Sequence, residues 1–248
     1  MLRKMGTPTA LVSLLLCLTL DVSAQPDKTA NTYHVFPQVA DGFAGDGSSY
    51  QTSLYVHSAV SGNINCTFTM YGVPADRLGG PSQFTIVPQT AGSGTIIRTT
   101  SLRQNPIATG YATLACNGPV TAQVTYGYYA PDNATIGLAT VFSSQSATVA
   151  ALGLDRDYRL GIAIANDTSS AASYVITVVD AGGRLIGSQT VSVNPKSNVA
   201  SFVDQWVPSS AGVGGVANIQ SSGGAPFSVI GLMFDGSIFT TLPATVLQ

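Results

Sequence analysis

Part of this chain lies over another part in a single register. With an offset of 108 residues, which carries Tyr50 onto Tyr158, the positions Tyr50, Thr52, Leu54 and Val56 fall on Tyr158, Leu160, Ile162 and Ile164. Every second residue matches, and a side-chain period of two belongs to a β-strand, whose successive Cβ atoms point to opposite faces. The same offset carries Cys66, Phe68 and Met70 onto Tyr174, Ile176 and Val178, so one register holds over two strands. Further on the offset shortens, with Gly110-Tyr111-Ala112-Thr113-Leu114 over Gly215-Val216-Ala217-Asn218-Ile219, as insertions between strands require. The last strands of the copies are expected at 120–128 and 138–142, and at 227–234 and 238–242. The fold class this predicts is all-β: two tandem immunoglobulin-like β-sandwich domains of about seven strands each, in roughly 100 residues apiece.

Composition agrees. Of 248 residues 45% are hydrophobic, yet only 9% are charged, and all 12 acidic residues are aspartate. An ordinary soluble domain is about 25% charged. Small and β-branched residues stand where helix-forming Glu, Lys and Leu would be, so strands and tight turns are favoured over helices. Residues 143–148 are polar and brief, which places the boundary there, between domains at 33–145 and 146–248 that must touch. A helical turn is expected only at Phe202-Val-Asp-Gln-Trp-Val-Pro208, ended by the proline, with Trp206 closing one end of the second sandwich. Asp180-Ala-Gly-Gly183 signals a hairpin.

Residues 1–24 are expected to be a signal peptide. Arg3 and Lys4 precede an apolar run at 10–20 that is too short to span a bilayer, and Val22-Ser23-Ala24 before Gln25 fits a signal-peptidase site, with cleavage between Ala24 and Gln25. Cys17 lies inside the apolar run without the small residue that lipidation requires before it. Residues 25–32 are expected to form a flexible segment. The chain is thus expected to be secreted, extracellular or at the cell surface, with no membrane insertion after cleavage. Of its 10 basic and 12 acidic side chains, Arg3, Lys4 and Asp21 leave with the leader, so the remainder is mildly acidic without a basic run. That argues against nucleic acid as a partner. Two cysteines remain, Cys66 and Cys116, both on apolar faces, and export makes a disulfide between them available. The offset places Tyr174 and Ser221 at the matching positions, a large residue opposite a small one.

The segments His34-Val-Phe-Pro-Gln-Val-Ala-Asp-Gly42, 175–183, 202–208 and Phe239-Thr-Thr-Leu-Pro-Ala244 resemble a family of uncharacterised secreted bacterial tandem immunoglobulin-like β-sandwich repeat proteins. The resemblance covers nearly all of the exported chain. It implies the sandwich fold and brings no catalytic residues. The Cys66 and Cys116 pair is not typical of that family.

Residues that could carry chemistry are sparse. His34 and His57 stand in no metal-binding spacing, and His57 is expected on the outward side of its strand, where the second copy has Ala165. Gly45-Asp46-Gly47-Ser48-Ser49 lacks the glycine after the serine that a nucleophile elbow needs and reads as a turn. Asp41 and Asp46, flanked by glycines, are weak candidates for a calcium site, and Asp155 with Asp157 weaker still. Among the tyrosines, Tyr126 and Tyr128 alternate onto the apolar face. Tyr129 is left outward as a weak candidate for ligand binding. Asn65, Asn133 and Asn166 begin formal glycosylation acceptors. These residues predict no cofactor and a non-catalytic, adhesion-like structural or interaction protein with a protein or glycan partner. A carbohydrate-binding module is the alternative and a hydrolase the least favoured. Strand edges with few charges open the chain to self-association.

Overall fold

A computed structural model describes residues 30–87, 94–100 and 105–247; the leader and its cleavage site at Ala24 and Gln25 lie outside the described residues. The first half holds β1 (Asn31–Phe43), β2 (Ser49–Ser58), β3 (Ile64–Tyr71), β4 (Gln83–Ile86), β5 (Gly94–Arg98), β6 (Ala108–Tyr129) and β7 (Thr135–Phe142). The second holds β8 (Val149–Leu154), β9 (Arg159–Asn166), β10 (Ala172–Asp180), β11 (Leu185–Val193), β12 (Ser197–Phe202), β13 (Gly215–Ser221), β14 (Ser228–Asp235), β15 (Ile238–Leu242) and β16 (Thr245–Val246). The helical turn lies where the sequence places it, as α1 (Val203–Trp206), and Pro208 then opens a short 3-10 turn. Strand β1 begins at Asn31, inside the segment expected to be flexible. Among the described residues no helix is long and apolar enough to cross a membrane.

Strand β6 is 22 residues long and changes partners along its length. Its first part pairs with β1 and β3, and its second part with β2 and β7. These strands make one seven-stranded sheet, β4-β3-β6-β1-β2-β5 with β7 on β6 and β6 also on β2. About β6 the pairings divide into a run β4-β3-β6-β1 and a run β5-β2-β6-β7, which β1 joins where Gly42 faces Tyr50 and Phe43 faces Ser49. The second half has β11-β10-β13-β8, extended by β16, and β12-β9-β14-β15. Taken rank by rank the two orders correspond, β13 and β14 standing for the two parts of β6. Among the described residues the first half has seven strands, with β6 taking part in both runs, and the second has nine, with β13 and β14 separate and β16 added. Strand β1 lies beside the first part of β6 and, at its end, beside β2, while the second part of β6 lies beside β2 and β7.

Glycines matched by the repeat have one structural cause. A Cβ on Gly110 would collide with the carbonyl of Tyr71, and one on Gly215 with the carbonyl of Val179. Backbone therefore approaches backbone at the start of β6 and of β13.

Alternation fills each core as the pattern predicts. Leu54 and Val56 face the first core with Phe36, Phe68, Leu114 and Val124, while Leu160, Ile162 and Ile164 face the second with Ile176, Ile219 and Val229. Trp206 packs against the rim of the second core. Cys66 lies directly opposite Cys116 and forms a disulfide with it. In the second half Tyr174 lies directly opposite Ser221, the same cross-strand position. Tyr174 is wholly buried edge-on against Phe227, 5.0 Å between centroids, at the cross-strand position that the bridge holds in the first half. Among the described residues its hydroxyl and that of Ser221 have no hydrogen-bond partner, and burial pushes the Tyr174 phenol up to about 12.

The halves are packed on each other. Residues 34–42 of β1 are buried without alternation: Phe36 and Val39 enter the first core, while Val35 meets Ala165 and Ala40 meets Leu232. Strand β9 is likewise buried on both faces. The outward expectation holds for exposed His57 and fails for Ala165, which the first half covers. The last strands β7 and β15 lie side by side, with the Thr241 hydroxyl donating to the Thr140 carbonyl at 2.7 Å and the Phe239 ring occupying the space a Gly137 side chain would need.

Two measurements check this packing. Reduction, or Cys66→Ser with Cys116→Ser, should lower unfolding free energy in denaturant titrations by about 4 kcal/mol, the chain-entropy value for a loop of this size. Tyr174→Phe should leave the melting temperature unchanged or raise it, since it removes a buried hydroxyl without a partner.

Candidate functional site

Where the halves meet, one carboxylate gathers groups from both. Asp167 follows β9 in a turn held by its neighbour Asn166, whose amide donates to the carbonyls of Ser170, Val193 and Asn194 at 2.8, 3.1 and 3.2 Å. The Asn166 side-chain oxygen accepts from the Thr168 backbone and hydroxyl. Asn166 is wholly buried and its nitrogen fully used, so this formal glycosylation acceptor is closed to modification. The turn presents Asp167 to three donors: Tyr33 to Oδ2 at 2.6 Å, and Tyr111 at 2.8 Å and Lys196 at 2.9 Å to Oδ1. Tyr71 stacks on Tyr111, 4.6 Å between centroids, and the Lys196 ammonium lies 6.0 Å from the Tyr71 ring.

Both phenols bound to Asp167 sit well above their ordinary 10.0, through burial first and the adjacent carboxylate second. They are hydrogen-bond donors at any physiological pH and not nucleophiles. Tyr111 is wholly buried, whereas Tyr33 keeps 47% of its surface exposed. Tyr33 stands in a cleft of about 580 Å³ lined also by Asn31, by Asp167 and Thr168, by residues 143–146, and by residues 226–228. The floor is fixed, because Ser144 is stitched to both halves. Its backbone N–H donates to the Val35 carbonyl at 2.9 Å, and its hydroxyl exchanges bonds of 3.0 Å with the backbone of Val229.

The residues singled out by sequence lie elsewhere. The Tyr129 ring folds down over Gly127 of its own strand, where it fills the place of the missing side chain. Tyr126 and Tyr128 stack with Tyr50 at 5.2 and 4.7 Å, in the cluster between the halves that includes Phe239. Asp41 is buried beside Arg77, 3.7 Å away, and that guanidinium also donates to the carbonyls of Asp41 and Pro106. Asp46 is exposed and accepts from the backbone and hydroxyl of Ser48, which holds its carboxyl below the usual range. Asp155 likewise closes a turn, accepting from the Asp157 backbone. The two calcium candidates are thus engaged separately, one in an ion pair and one in a turn. Among the described residues no cluster of three or more His, Cys or Asp is assembled. His34 is buried, its Nε2 lying 3.0 Å from the Val120 carbonyl, and His57 is exposed on β2.

Asp167, Tyr33 and Lys196 were not singled out by sequence. Asn166-Asp-Thr carries a turn signal as well as a glycosylation pattern, but nothing local pairs it with a tyrosine 134 residues away. No family model, curated protein or solved structure matches the chain.

Asp167→Ala should destabilise by about 1–3 kcal/mol, because Tyr111 then lacks its buried acceptor. Adding Tyr111→Phe should recover part of that loss in a double-mutant cycle. The phenols of Tyr33, Tyr111, Tyr126 and Tyr174 all titrate above 10.0 when folded, so the folded state holds these protons more tightly than the unfolded chain does. The stability they confer should be complete below about pH 10 and fall as pH rises further, visible as falling melting temperature in alkaline melts.

Proposed function

We propose that this chain is an exported, non-catalytic structural and interaction protein of adhesion-like type, a tandem pair of immunoglobulin-like sandwich units acting outside the cell or at its surface. The observation that carries this is the corresponding strand order of the halves, with Cys66 opposite Cys116 in one and Tyr174 opposite Ser221 in the other. Duplication of a sandwich unit accounts for that correspondence, with the boundary in residues 143–148. Burial of β1 and β9 on both faces joins the units into a body suited to holding surfaces at fixed spacing. A disulfide fits an oxidising compartment. The polar groups of the contact between the halves are committed to each other, Asp167 to two phenols and an ammonium, and inside the first half Asp41 is committed to Arg77.

A second reading, glycan binding, is favoured by the cleft. Tyr33 offers a half-exposed ring whose orientation is set by its bond to Asp167, among amides and hydroxyls of Asn31, Gln145 and Thr168. Aromatic and neutral polar groups in a cleft of this size suit a sugar unit.

Fractionation of the native host with N-terminal sequencing should recover a chain beginning at Gln25 outside the cytoplasm, without turnover on a hydrolase substrate panel. A cytoplasmic chain retaining its leader, or turnover abolished by Asp167→Asn, would contradict the first reading. On a glycan array, binding lost in Tyr33→Ala and kept in Tyr129→Ala would favour the second.

A further inference from the structure

We infer that β11 is an intermolecular pairing edge, on which a second copy of this chain lays its own β11 antiparallel, with Thr190 facing Thr190 across a two-fold axis. Most other sheet edges are short or covered. Strands β7 and β15 shield one another, and β12 leans on the first half through the Asn198 amide, which donates to the Pro37 carbonyl at 3.1 Å. Strand β4, the counterpart of β11 in the first half, is four residues long, and β5 is five and ends in Arg98. Strand β11 has nine residues, Leu-Ile-Gly-Ser-Gln-Thr-Val-Ser-Val, without the charge or proline that normally blunt an edge; its bulge lies at 185–187 and leaves 188–193 in regular pairing.

The register follows from which backbone groups face out. The Ile186 carbonyl accepts from the Ser209 hydroxyl at 3.1 Å, and the Thr190 carbonyl accepts from the exposed side chain of Gln189 at 3.0 Å. Both carbonyls therefore point away from β10. In an antiparallel ladder outward groups alternate, so residues 186, 188, 190 and 192 face out while 187, 189, 191 and 193 bond to β10. Ser209 and Val207 cover the end at 186 and 187, which leaves Ser188, Thr190 and Ser192; the exposed Gln189 side chain on the Thr190 carbonyl gives way when a second strand pairs there. Only the register centred on Thr190 uses all three at once. It sets Ser188 opposite Ser192 of the second copy and Gln189 opposite Val191.

Each of these pairs is uncharged, and cross-strand Ser and Thr pairs are favourable. A strand carrying net charge would repel its own copy; this one does not. The nearest charges, Arg184 and Lys196, are neutralised within the chain by Asp180 at 3.0 Å and Asp167 at 2.9 Å. Two-fold pairing also closes on itself, whereas head-to-tail pairing would leave a free edge and propagate.

Sedimentation velocity on the exported chain, from low to high micromolar concentration, tests this. The wild type should show a reversible monomer–dimer equilibrium. Thr190→Lys, which sets two ammonium groups against each other at the axis, should raise the dissociation constant by at least about tenfold with an unchanged melting temperature. Thr177→Lys, a charge on the same sheet face one strand further in, should leave it within about twofold. A wild type that stays monomeric, a Thr190→Lys variant that still dimerises as well as wild type, or equal loss in Thr177→Lys would each overturn the inference.

Discussion

Strand β1 is buried on both faces, and most of the molecule's arrangement depends on that. Its Phe36 and Val39 close the first core, while Val35 and Ala40 lie against Ala165 and Leu232 of the second half. A strand in this position has no face left for water, so its alternation disappears into a continuous buried run. Strand β9 meets it with small residues, Ala163 and Ala165, which let the sheets approach closely. Few charges fall on these two strands because both of their faces are interior, where an unpaired charge is costly. The buried carboxylate of Asp41 lies beside Arg77, with which it forms an ion pair.

The cleft follows from the same contact. The two halves, packed together along β1, leave a recess where the connecting segment passes between them, and Ser144 bonds that segment to β1 and β14. Tyr33 and Tyr111 come from one half and Asp167 and Lys196 from the other. The network can form only when the halves are in place, so it reports their arrangement and stabilises it.

Where the halves differ, the difference has a physical content. The first carries a covalent bridge and the second fills the same cross-strand position with a tyrosine ring, giving up the hydrogen bonds of two buried hydroxyls. The sixth strand runs unbroken through Gly118-Pro119 in the first half, while residues 222–227 interrupt its counterpart in the second. The edges diverge as well, four residues in β4 against nine in β11.

The repeat, the strand faces, the Cys66 and Cys116 pairing, the hairpin at Asp180 and the helical turn before Pro208 were all legible in the sequence, because each rests on local covalent geometry. Side chains alternate along a strand whatever surrounds it, and a matched register carries that alternation from one copy to the other. The positions that needed the tertiary structure are those whose environment comes from far along the chain. Ala165 and His57 occupy equivalent outward positions, and only one is covered. Tyr129 alternates outward but lies over Gly127, while Tyr33 stands half-exposed in the cleft. Asp41 and Asp46 look alike between glycines, and one is buried in an ion pair while the other closes a turn. The sequence by itself determined two similar β-rich units and their core-facing residues. Only the tertiary structure decided how the units lie against each other and what that contact encloses, since the rotation of one sheet on another is set by packing across the interface, which no local period encodes.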